Sequence, residues 1–266
     1  MSALLMWLVT QYAELVAAVR FLSILPLPGS SRLFETGQES QGTPRLVLGS
    51  AYFPLVGLLL ALLLALLLAL ANRIFPHLVV AALLTIALVV LTGGLHLDGL
   101  MDTCDGVFGG RTRERRLEIM RDSRVGSFGV LGGACVLLLE FALFASMNTH
   151  TLSIALFVVL PCSRWAMVLA LRVFPSARAT GLGVTFRQTV TPTRLIIAGS
   201  LALLIAIIAG QEMGVIVWFV TSAVACVLGA WFMDRLGGLT GDSYGAIAEM
   251  SEVVALLVLL GVGRYL

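Results

Sequence analysis

Residues 58–70 read LLLALLLALLLAL, an uninterrupted apolar run in which leucine and alanine do not alternate with polar residues. Such a run predicts a helix, because the strands of a membrane β-barrel are ten-residue segments of alternating hydrophobicity. In the whole chain of 266 residues, 59% are hydrophobic and only 12% are charged, and the mean hydropathy is +1.02. Soluble domains carry about a quarter charged residues. The composition therefore argues against a soluble globular protein and predicts an all-α, polytopic integral membrane protein.

Several further apolar stretches have the length of about 20 residues that a helix needs to cross a bilayer. The N-terminal segment 3–25 carries Glu14 and Arg20, and its sequence is compatible with either a membrane span or a helix that lies in the interface. We therefore expect six to eight membrane helices. No polar domain or clear internal repeat divides the chain, and residues 1–266 are treated as one domain. The N-terminus has no basic region before its apolar stretch, which argues against a cleavable signal peptide. The expected spans are 54–71, 78–92, 128–147, 152–173, 195–209, 214–233 and 246–262.

The distribution of arginine predicts how the chain is oriented in the membrane. All 17 basic residues are arginine, and four long connections hold twelve of them, whereas the opposite connections and the C-terminus hold two. Basic residues are enriched in cytoplasmic loops, so we expect a multi-pass protein of the cytoplasmic (inner) membrane with its active site on the cytoplasmic face. The formal net charge of +2 does not indicate a nucleic-acid partner, and no nucleic acid is expected. The Arg-rich connections are 28–50, 93–124, 174–194 and 234–245.

Residues 93–106 read GGLHLDGLMDTCDG and place three carboxylates on one face of a predicted helix. Asp98, Asp102 and Asp105 stand at positions i, i+4 and i+7, within about 60° of one another at 100° per residue. Like charges repel and are costly to desolvate near a membrane, and Mg²⁺ relieves both costs while binding one or two carboxylates and substrate phosphates. We interpret the face as a metal site, with three solvated carboxylates as the alternative. His96 is left open between a ligand or general base and a structural histidine.

Arginines follow this acidic face directly. Residues 111–124 contain six of them, and Arg121 and Arg124, nearest the next membrane helix, are the better candidates for binding phosphate. Anchoring to anionic lipid or fixing the topology is the alternative explanation for the run. Arg164 lies inside an apolar stretch, where an arginine indicates a functional site or pairs with an acid such as Glu140.

A second acidic motif begins the last helix. Residues 237–242 read GGLTGD, and their glycines are expected to give a phosphate oxygen access to free backbone amides, with Thr240 and Gly241 as binding residues. Asp242 is either an N-cap or a metal ligand. Glu249, seven residues later, lies within an apolar helix where a carboxylate needs a partner. We expect Asp242 and Glu249 to form a second acidic site that faces the first.

Together these residues predict a magnesium-dependent membrane enzyme that acts on a pyrophosphate-bearing substrate, because pyrophosphate oxygens are bound by metal cations and guanidinium groups. Two alternatives share some of these features, namely another class of membrane transferase and a transporter. CDP-alcohol phosphotransferases and polyprenyl transferases also bind magnesium and a pyrophosphate through aspartate clusters, but with different spacings. A transporter is disfavoured because the acids and arginines crowd one face and no inverted repeat is visible.

These motifs resemble those of the cobalamin synthases, also called adenosylcobinamide-GDP ribazoletransferases. The string HLDGLMDTCDG at residues 96–106 is the most specific part of the resemblance. One departure is Ser23-Ile24, where many members place an arginine, so this chain has no arginine there to contact the substrate. The remaining motifs occur in family order over nearly the whole chain, as YFPLVG at 52–57, MRDSRVG at 120–126, SR at 163–164 and GGLTGD at 237–242.

The resemblance implies the step of vitamin B12 assembly that completes the nucleotide loop. In that reaction the ribose 3′-hydroxyl of α-ribazole, or of α-ribazole 5′-phosphate, attacks the cobinamide phosphate of adenosylcobinamide-GDP, and GMP leaves. The reaction requires Mg²⁺. The partners expected besides the two substrates are membrane lipid and, left open, a second copy of the chain or other late enzymes of cobalamin synthesis.

The resemblance also suggests roles for the residues of the motifs. Asp105 or His96 would deprotonate the ribose hydroxyl. The expected Mg²⁺ ligands are Asp98, Asp102, Asp105, Asp242 and Glu249. The residues expected to bind the phosphates and the nucleotide are Arg121, Arg124, Arg164, Thr240 and Gly241.

Overall fold

The structure is a computed structural model that describes residues 3–27, 49–178, 187 and 189–262. Over these ranges the chain forms nine α-helices, and the only β-pairing is an isolated bridge, which confirms the all-α prediction. Most of the predicted Arg-rich connection 28–50, and residues 179–186 of the connection 174–194, lie outside the described residues. The helices are α1 (Ala3–Leu22), α2 (Phe53–Ala71), α3 (His77–Leu91), α4 (Leu95–Gly109), α5 (Arg113–Ile119), α6 (Ser127–Ser146), α7 (Thr149–Val173), α8 (Pro192–Leu236) and α9 (Gly241–Val262).

Six of these helices are long and apolar enough to cross a membrane. Helices α3 and α4, which meet at a bend of 85°, together have the length and apolar character of one further span. The chain is therefore a multi-pass membrane protein, as its composition predicts. Helix α1 is among the six, so the N-terminal segment has the length and composition of a span. Its buried Glu14 forms an ion pair with Arg194 in the first turn of α8.

Helix α7 is the most buried of the six and forms the centre of the molecule. Helices α2, α8 and α9 all pack against it. The leucine-rich helix α2 approaches α7 closely because Gly57 has no side chain: a Cβ there would lie 2.4 Å from the carbonyl oxygen of Leu160. The contact occurs next to Pro161, which lies inside α7.

Helix α8 is a hairpin rather than one straight rod. It reverses at Gln211, whose φ of 50° and ψ of −126° are not helical. A Cβ on Gly214 would lie 1.9 Å from the carbonyl oxygen of Ala206, whereas residues eight apart in a continuous helix are separated by about 12 Å. The two arms correspond to the separate spans predicted at 195–209 and 214–233.

A sharp bend before α4 sets the direction of the acidic helix. Gly93 and Gly94 have φ angles of 63° and 70°, in the left-handed region that favours glycine. Helix α4 has 15 residues, so it is about 22 Å long at 1.5 Å per residue, shorter than a bilayer core of about 30 Å. The bend thus turns α4 away from the direction of α3 and brings it against α6 and α9.

Candidate active site

The two acidic motifs meet because α4 packs directly against α9. A Cβ on Gly99 would lie 2.8 Å from the carbonyl oxygen of Asp242, and one on Gly245 would lie 2.9 Å from the carbonyl oxygen of His96. A side chain at either glycine would push the two helices apart. The absence of both side chains therefore places the 93–106 and 237–242 motifs at one site.

A cavity of about 140 Å³ lies between α4 and α9. On one side of it, Asp98 is exposed and Asp242 is half-buried, whereas His96 and Tyr244 are only 1% and 3% exposed. The cavity therefore has an acidic side that reaches solvent and a buried side. Its apolar walls come from α1, α2, α4 and α7, through Phe21, Phe53, Leu95, Met167 and Leu171.

Asp102 links the two motifs electrostatically. It interacts with the carboxylates of Asp98, Asp242 and Asp105 and with the guanidinium of Arg178. We call Asp98, Asp102 and Asp242 the acidic cluster. Over the described part of the chain, no three His, Cys, Asp or Glu side chains are arranged to hold one metal ion together. A magnesium ion held by one or two carboxylates and by substrate phosphates fits this arrangement, and a cage of three protein carboxylates does not.

Asp105 is bound by the backbone of the next membrane helix. Its two carboxylate oxygens accept hydrogen bonds from the amides of Gly126 and Gly129, each at 2.7 Å. Amides at the start of a helix have no partner within the helix, so Asp105 caps α6 from outside. A Cβ at either glycine would lie 2.3 or 2.4 Å from a carboxylate oxygen. The side chain predicted as a metal ligand or general base thus has both oxygens in contact with α6.

The segment after α7 pairs with the segment before α9. The amide of Leu239 donates to the carbonyl oxygen of Pro175, and the carbonyl of Leu239 accepts from the amide of Ala177, both at 2.8 Å. These bonds surround the isolated bridge between Ser176 and Leu239. One backbone amide of the 237–242 motif, that of Leu239, is therefore used within the protein and is not free for a phosphate oxygen.

Thr240 and Gly241, both predicted to bind phosphate, have different positions. Thr240 caps α9 in a reciprocal arrangement: its amide donates to the Ser243 hydroxyl, and its own hydroxyl accepts from the Ser243 amide, each at 3.2 Å. Gly241 lines the cavity, and a Cβ there would meet nothing within 4 Å. The N-cap role considered for Asp242 thus belongs to Thr240, whose hydroxyl also lies 3.3 Å from the Asp242 carboxylate.

Arg178 is a cation of the site that the sequence motifs miss. It follows the paired segment and interacts electrostatically with Asp242, Asp102 and Arg121. Burial lowers the pKa of its guanidinium, and its Nε and Nη2 atoms have no hydrogen-bond partner among the described residues. Unpartnered guanidinium donors beside the cavity can bind an anion in a forked geometry. The only signal in the sequence is its place in the Arg-rich connection 174–194, which does not distinguish it from its neighbours.

The two arginines predicted from the 111–124 run lie in the exposed loop between α5 and α6. Arg124 is paired with Asp122 at 2.7 Å, and hydrogen bonds from its guanidinium lower the pKa of that carboxyl to about 2. Arg121 instead interacts with Arg178. Of the two predicted phosphate ligands, Arg121 is therefore the one that lies near Arg178.

Arg164 and Glu249 belong to a network in the core. Arg164 is fully buried and pairs with Glu252 of α9, and its Nη1 atom also donates to the Ser163 hydroxyl at 2.8 Å. Glu249 interacts electrostatically with Glu252 and Arg164. Glu140 of α6 and Glu252 border a void of about 10 Å³. The structure therefore joins α6, α7 and α9 through these groups and does not place Arg164 or Glu249 among the residues that line the cavity.

Comparison with known proteins identifies the family. The family model described as cobalamin-5-phosphate synthase matches residues 14–260. A relative from Roseiflexus sp. (strain RS-1), named adenosylcobinamide-GDP ribazoletransferase, is 42% identical over 93% of this chain and 89% of its own length. A relative of the same name from Desulfitobacterium hafniense (strain Y51) is 41% identical over 92% of this chain and 95% of its own. No solved structure matches the chain. Since the match extends from α1 to α9 and includes both motifs of the cavity, this chain belongs to the cobalamin-5-phosphate synthase family.

Proposed function

We propose that this chain joins adenosylcobinamide-GDP to α-ribazole, or to α-ribazole 5′-phosphate, and releases GMP in the nucleotide loop assembly of cobalamin biosynthesis. The observation that carries the proposal is the packing of α4 against α9, which puts the acidic cluster and the unpartnered donors of Arg178 beside one cavity. The relatives named as ribazoletransferases supply the identity of the donor. Transfer from a diphosphate requires cations that bind its oxygens and a space in which the acceptor can approach the phosphorus. Arg178 and a metal held by the acidic cluster would supply the cations, and the cavity would supply the space.

The residues present fit a diphosphate bound together with Mg²⁺. One or two carboxylates of the acidic cluster would hold the metal, in keeping with the preference of Mg²⁺ for one or two carboxylates and substrate phosphates. When bound, Mg²⁺ supplies positive charge that stabilises the attacking and leaving oxygens. Arg178 and Arg121 bind the remaining phosphate oxygens through charge-assisted hydrogen bonds.

The chemical step is an in-line displacement at phosphorus. The ribose 3′-oxygen of the acceptor forms a bond to the cobinamide phosphorus, and the bond from that phosphorus to the bridging oxygen breaks, so that GMP leaves with the bridging oxygen. The hydroxyl proton passes to a carboxylate that lines the cavity, Asp98 or Asp242. Asp105 is the weaker candidate for this role because both of its oxygens accept backbone hydrogen bonds. It positions α4 on α6.

We further propose that the site faces the cytoplasm and that the chain lies in the cytoplasmic membrane. Both motifs of the cavity belong to the Arg-rich connections 93–124 and 234–245, and basic connections are retained on the cytoplasmic side. The outward-facing apolar side chains of the spans suit contact with lipid, as for Leu62, Leu66 and Ile208.

The test is product formation by the purified protein in detergent. Incubation with adenosylcobinamide-GDP, α-ribazole 5′-phosphate and Mg²⁺ should yield equimolar GMP and joined corrinoid, both followed by chromatography. Adding a chelator should abolish both products, and restoring Mg²⁺ should recover them. A folded preparation that forms neither product would overturn the proposal and direct attention to CDP-alcohols and prenyl diphosphates as substrates.

A further inference from the structure

The buried side of the cavity holds two polar side chains whose polar atoms have no partner within the described ranges. Both ring nitrogens of His96 and the hydroxyl of Tyr244 are buried and make no hydrogen bond there. Because Gly245 packs on the backbone of His96, the residue before it, Tyr244, is held near His96 at the same contact. Buried polar groups in native proteins are almost always hydrogen-bonded. These two side chains are therefore expected to form hydrogen bonds with polar atoms of a bound ligand.

The walls beside these groups are apolar and aromatic. The rings of Phe21 and Phe53 stack with their centroids 6.0 Å apart and an interplanar angle of 27°. Leu95, Met167 and Leu171 complete the apolar lining. A flat ring gains by packing on such walls, whereas a sugar or phosphate loses its hydration there. Apolar walls with a few polar groups are the usual composition of a site for a small heteroaromatic ligand.

The parts of the two substrates can be assigned to this cavity by their size and polarity. The corrin macrocycle is far larger than a single heteroaromatic base, so the base is the part that suits the enclosed side of this cavity. The diphosphate belongs with the acidic cluster and Arg178, on the side that reaches solvent. An acceptor whose ribose hydroxyl lies near Asp98 and Asp242 extends its base toward the buried side, because the same cavity connects the two.

We infer that the buried side of the cavity binds the planar heteroaromatic base of the acceptor nucleoside and that Tyr244 and His96 select it. The Tyr244 hydroxyl donates a hydrogen bond to the ring nitrogen that is not bonded to the ribose, and an N–H of His96 donates to the Tyr244 hydroxyl oxygen when the base is bound. Phe21 and Phe53 pack against the ring. This inference rests on the proposed transferase function, and it assigns His96 to base recognition instead of proton transfer.

The decisive variant is Tyr244→Phe, which removes only the hydroxyl and keeps the ring that packs in α9. The KM for α-ribazole should rise about tenfold, the effect of losing one buried hydrogen bond. The kcat and the KM for adenosylcobinamide-GDP should stay unchanged. An acceptor whose base is a phenyl-type ring without a ring nitrogen should be used equally by the variant and the wild type. Tyr12→Phe, at an exposed position of α1, is the matched control.

His96→Gln supplies a second readout. Its KM for α-ribazole should rise while kcat is retained, and calorimetry without donor or metal should show weaker binding of α-ribazole. A fall in kcat with unchanged KM would mean that His96 transfers the proton, and the inference would be wrong. His150→Gln, at an exposed histidine in the first turn of α7, is the control.

The two proposals fail in different ways. If the proposed function is wrong, the folded wild-type protein forms no product with any acceptor. If only the inference is wrong, the wild type turns over, and Tyr244→Phe keeps both the KM for α-ribazole and the preference over the phenyl-type acceptor.

Discussion

Three aspartates of α4 have the same side chain but different surroundings. Asp98 is exposed at the cavity, and Asp102 is half-buried beside Arg178 and Asp242. Asp105 is 7% exposed and accepts two backbone hydrogen bonds. The contacts therefore divide them into two carboxylates available to a cation and one that holds two helices together.

Replacing Asp105 should therefore affect stability more directly than chemistry. Asp105→Asn removes one acceptor oxygen and directs an amide N–H at a backbone amide, so we expect the free energy of unfolding to fall by about 1–3 kcal/mol. Thermal unfolding in detergent would report this as a lower Tm. Asp122→Asn is the control and should lower Tm only slightly, because its ion pair with Arg124 is exposed and such pairs contribute little to stability. An Asp105→Asn protein with the wild-type Tm would show that the two bonds do not stabilise the fold.

Arg178 should contribute to binding of the donor. Arg178→Gln removes the charge beside the acidic cluster, and we expect the KM for adenosylcobinamide-GDP to rise about tenfold to a hundredfold, as for the loss of a charged hydrogen bond. The KM for α-ribazole should not change. Arg172→Gln, at an exposed arginine in the last turn of α7, is the matched control. If Arg178→Gln and Arg172→Gln had the same KM for adenosylcobinamide-GDP, Arg178 would not contribute to binding the donor.

The sequence predicts those features of the site that depend on neighbouring residues, and it does not predict those that depend on residues far away in the chain. The carboxylate face of α4 depends on helical periodicity alone, and the structure has the predicted helix there. The separate role of Asp105 depends on amides more than 20 residues away. The position of Arg178 depends on the pairing of Leu239 with Pro175 and Ala177. Neither contact leaves a local pattern in the sequence.

Among the secondary-structure elements, the contact between α4 and α9 forms the site. Gly99 and Gly245 each lie against the backbone of the other helix, so the distance between the helices is set by the absence of two side chains. The glycines are visible in the sequence, but their partners are not. The same holds for Gly57, whose space is occupied by the backbone of α7.

Adding a methyl group at this contact should therefore disturb the site. Gly99→Ala and Gly245→Ala should each lower the free energy of unfolding by about 1–3 kcal/mol through overpacking. Each should also lower kcat about tenfold or more, because a displacement of about 1 Å can cost a hundredfold in rate. Gly261→Ala near the end of α9, where a Cβ meets nothing within 4 Å, is the control. Both kcat and Tm should be measured for each variant. The prediction would be wrong if Gly99→Ala and Gly245→Ala had the same kcat and Tm as Gly261→Ala.

The spans illustrate which features of an element the sequence specifies. Hydrophobic length predicted the helices, including the two arms of α8 on either side of Gln211. The cost of burying a charge marked Arg164 and Glu249 as residues that need a partner or a functional role, and the protein places both in one network with Glu252. A sequence shows that a buried charge needs a partner, and only the packing of α7 on α9 shows which partner it has.

For the whole molecule, that network connects the helices that surround the central α7. Glu252→Ala leaves the buried guanidinium of Arg164 without its carboxylate, and breaking one side of a buried pair costs about 3–5 kcal/mol. We expect a strongly lowered Tm in detergent. The control is Glu118→Ala, which breaks an ion pair with Arg115 whose side chains are 68% and 59% exposed and should cost at most about 1 kcal/mol. Similar melting of the two variants would contradict a structural role for the buried pair.

The complete molecule combines a multi-pass membrane scaffold with a cavity that has two dissimilar sides. Asp98 and Asp242 line the side of the cavity that reaches solvent, and Arg178 interacts with Asp242. His96 and Tyr244 line the buried side. In the proposed reaction, this polarity would orient the acceptor with its ribose toward the carboxylates and its base toward the aromatic walls.

Single-turnover release of GMP by the wild type and by Asp102→Asn, measured over a range of Mg²⁺ concentrations, is the most direct test of the metal-assisted reaction at this cavity. We expect the wild type to release GMP and form joined corrinoid in equal amounts. The variant should be about 100-fold slower and should need more Mg²⁺ to reach its maximal rate. Equal rates for the two folded proteins at every Mg²⁺ concentration would contradict a role for the acidic cluster in the reaction.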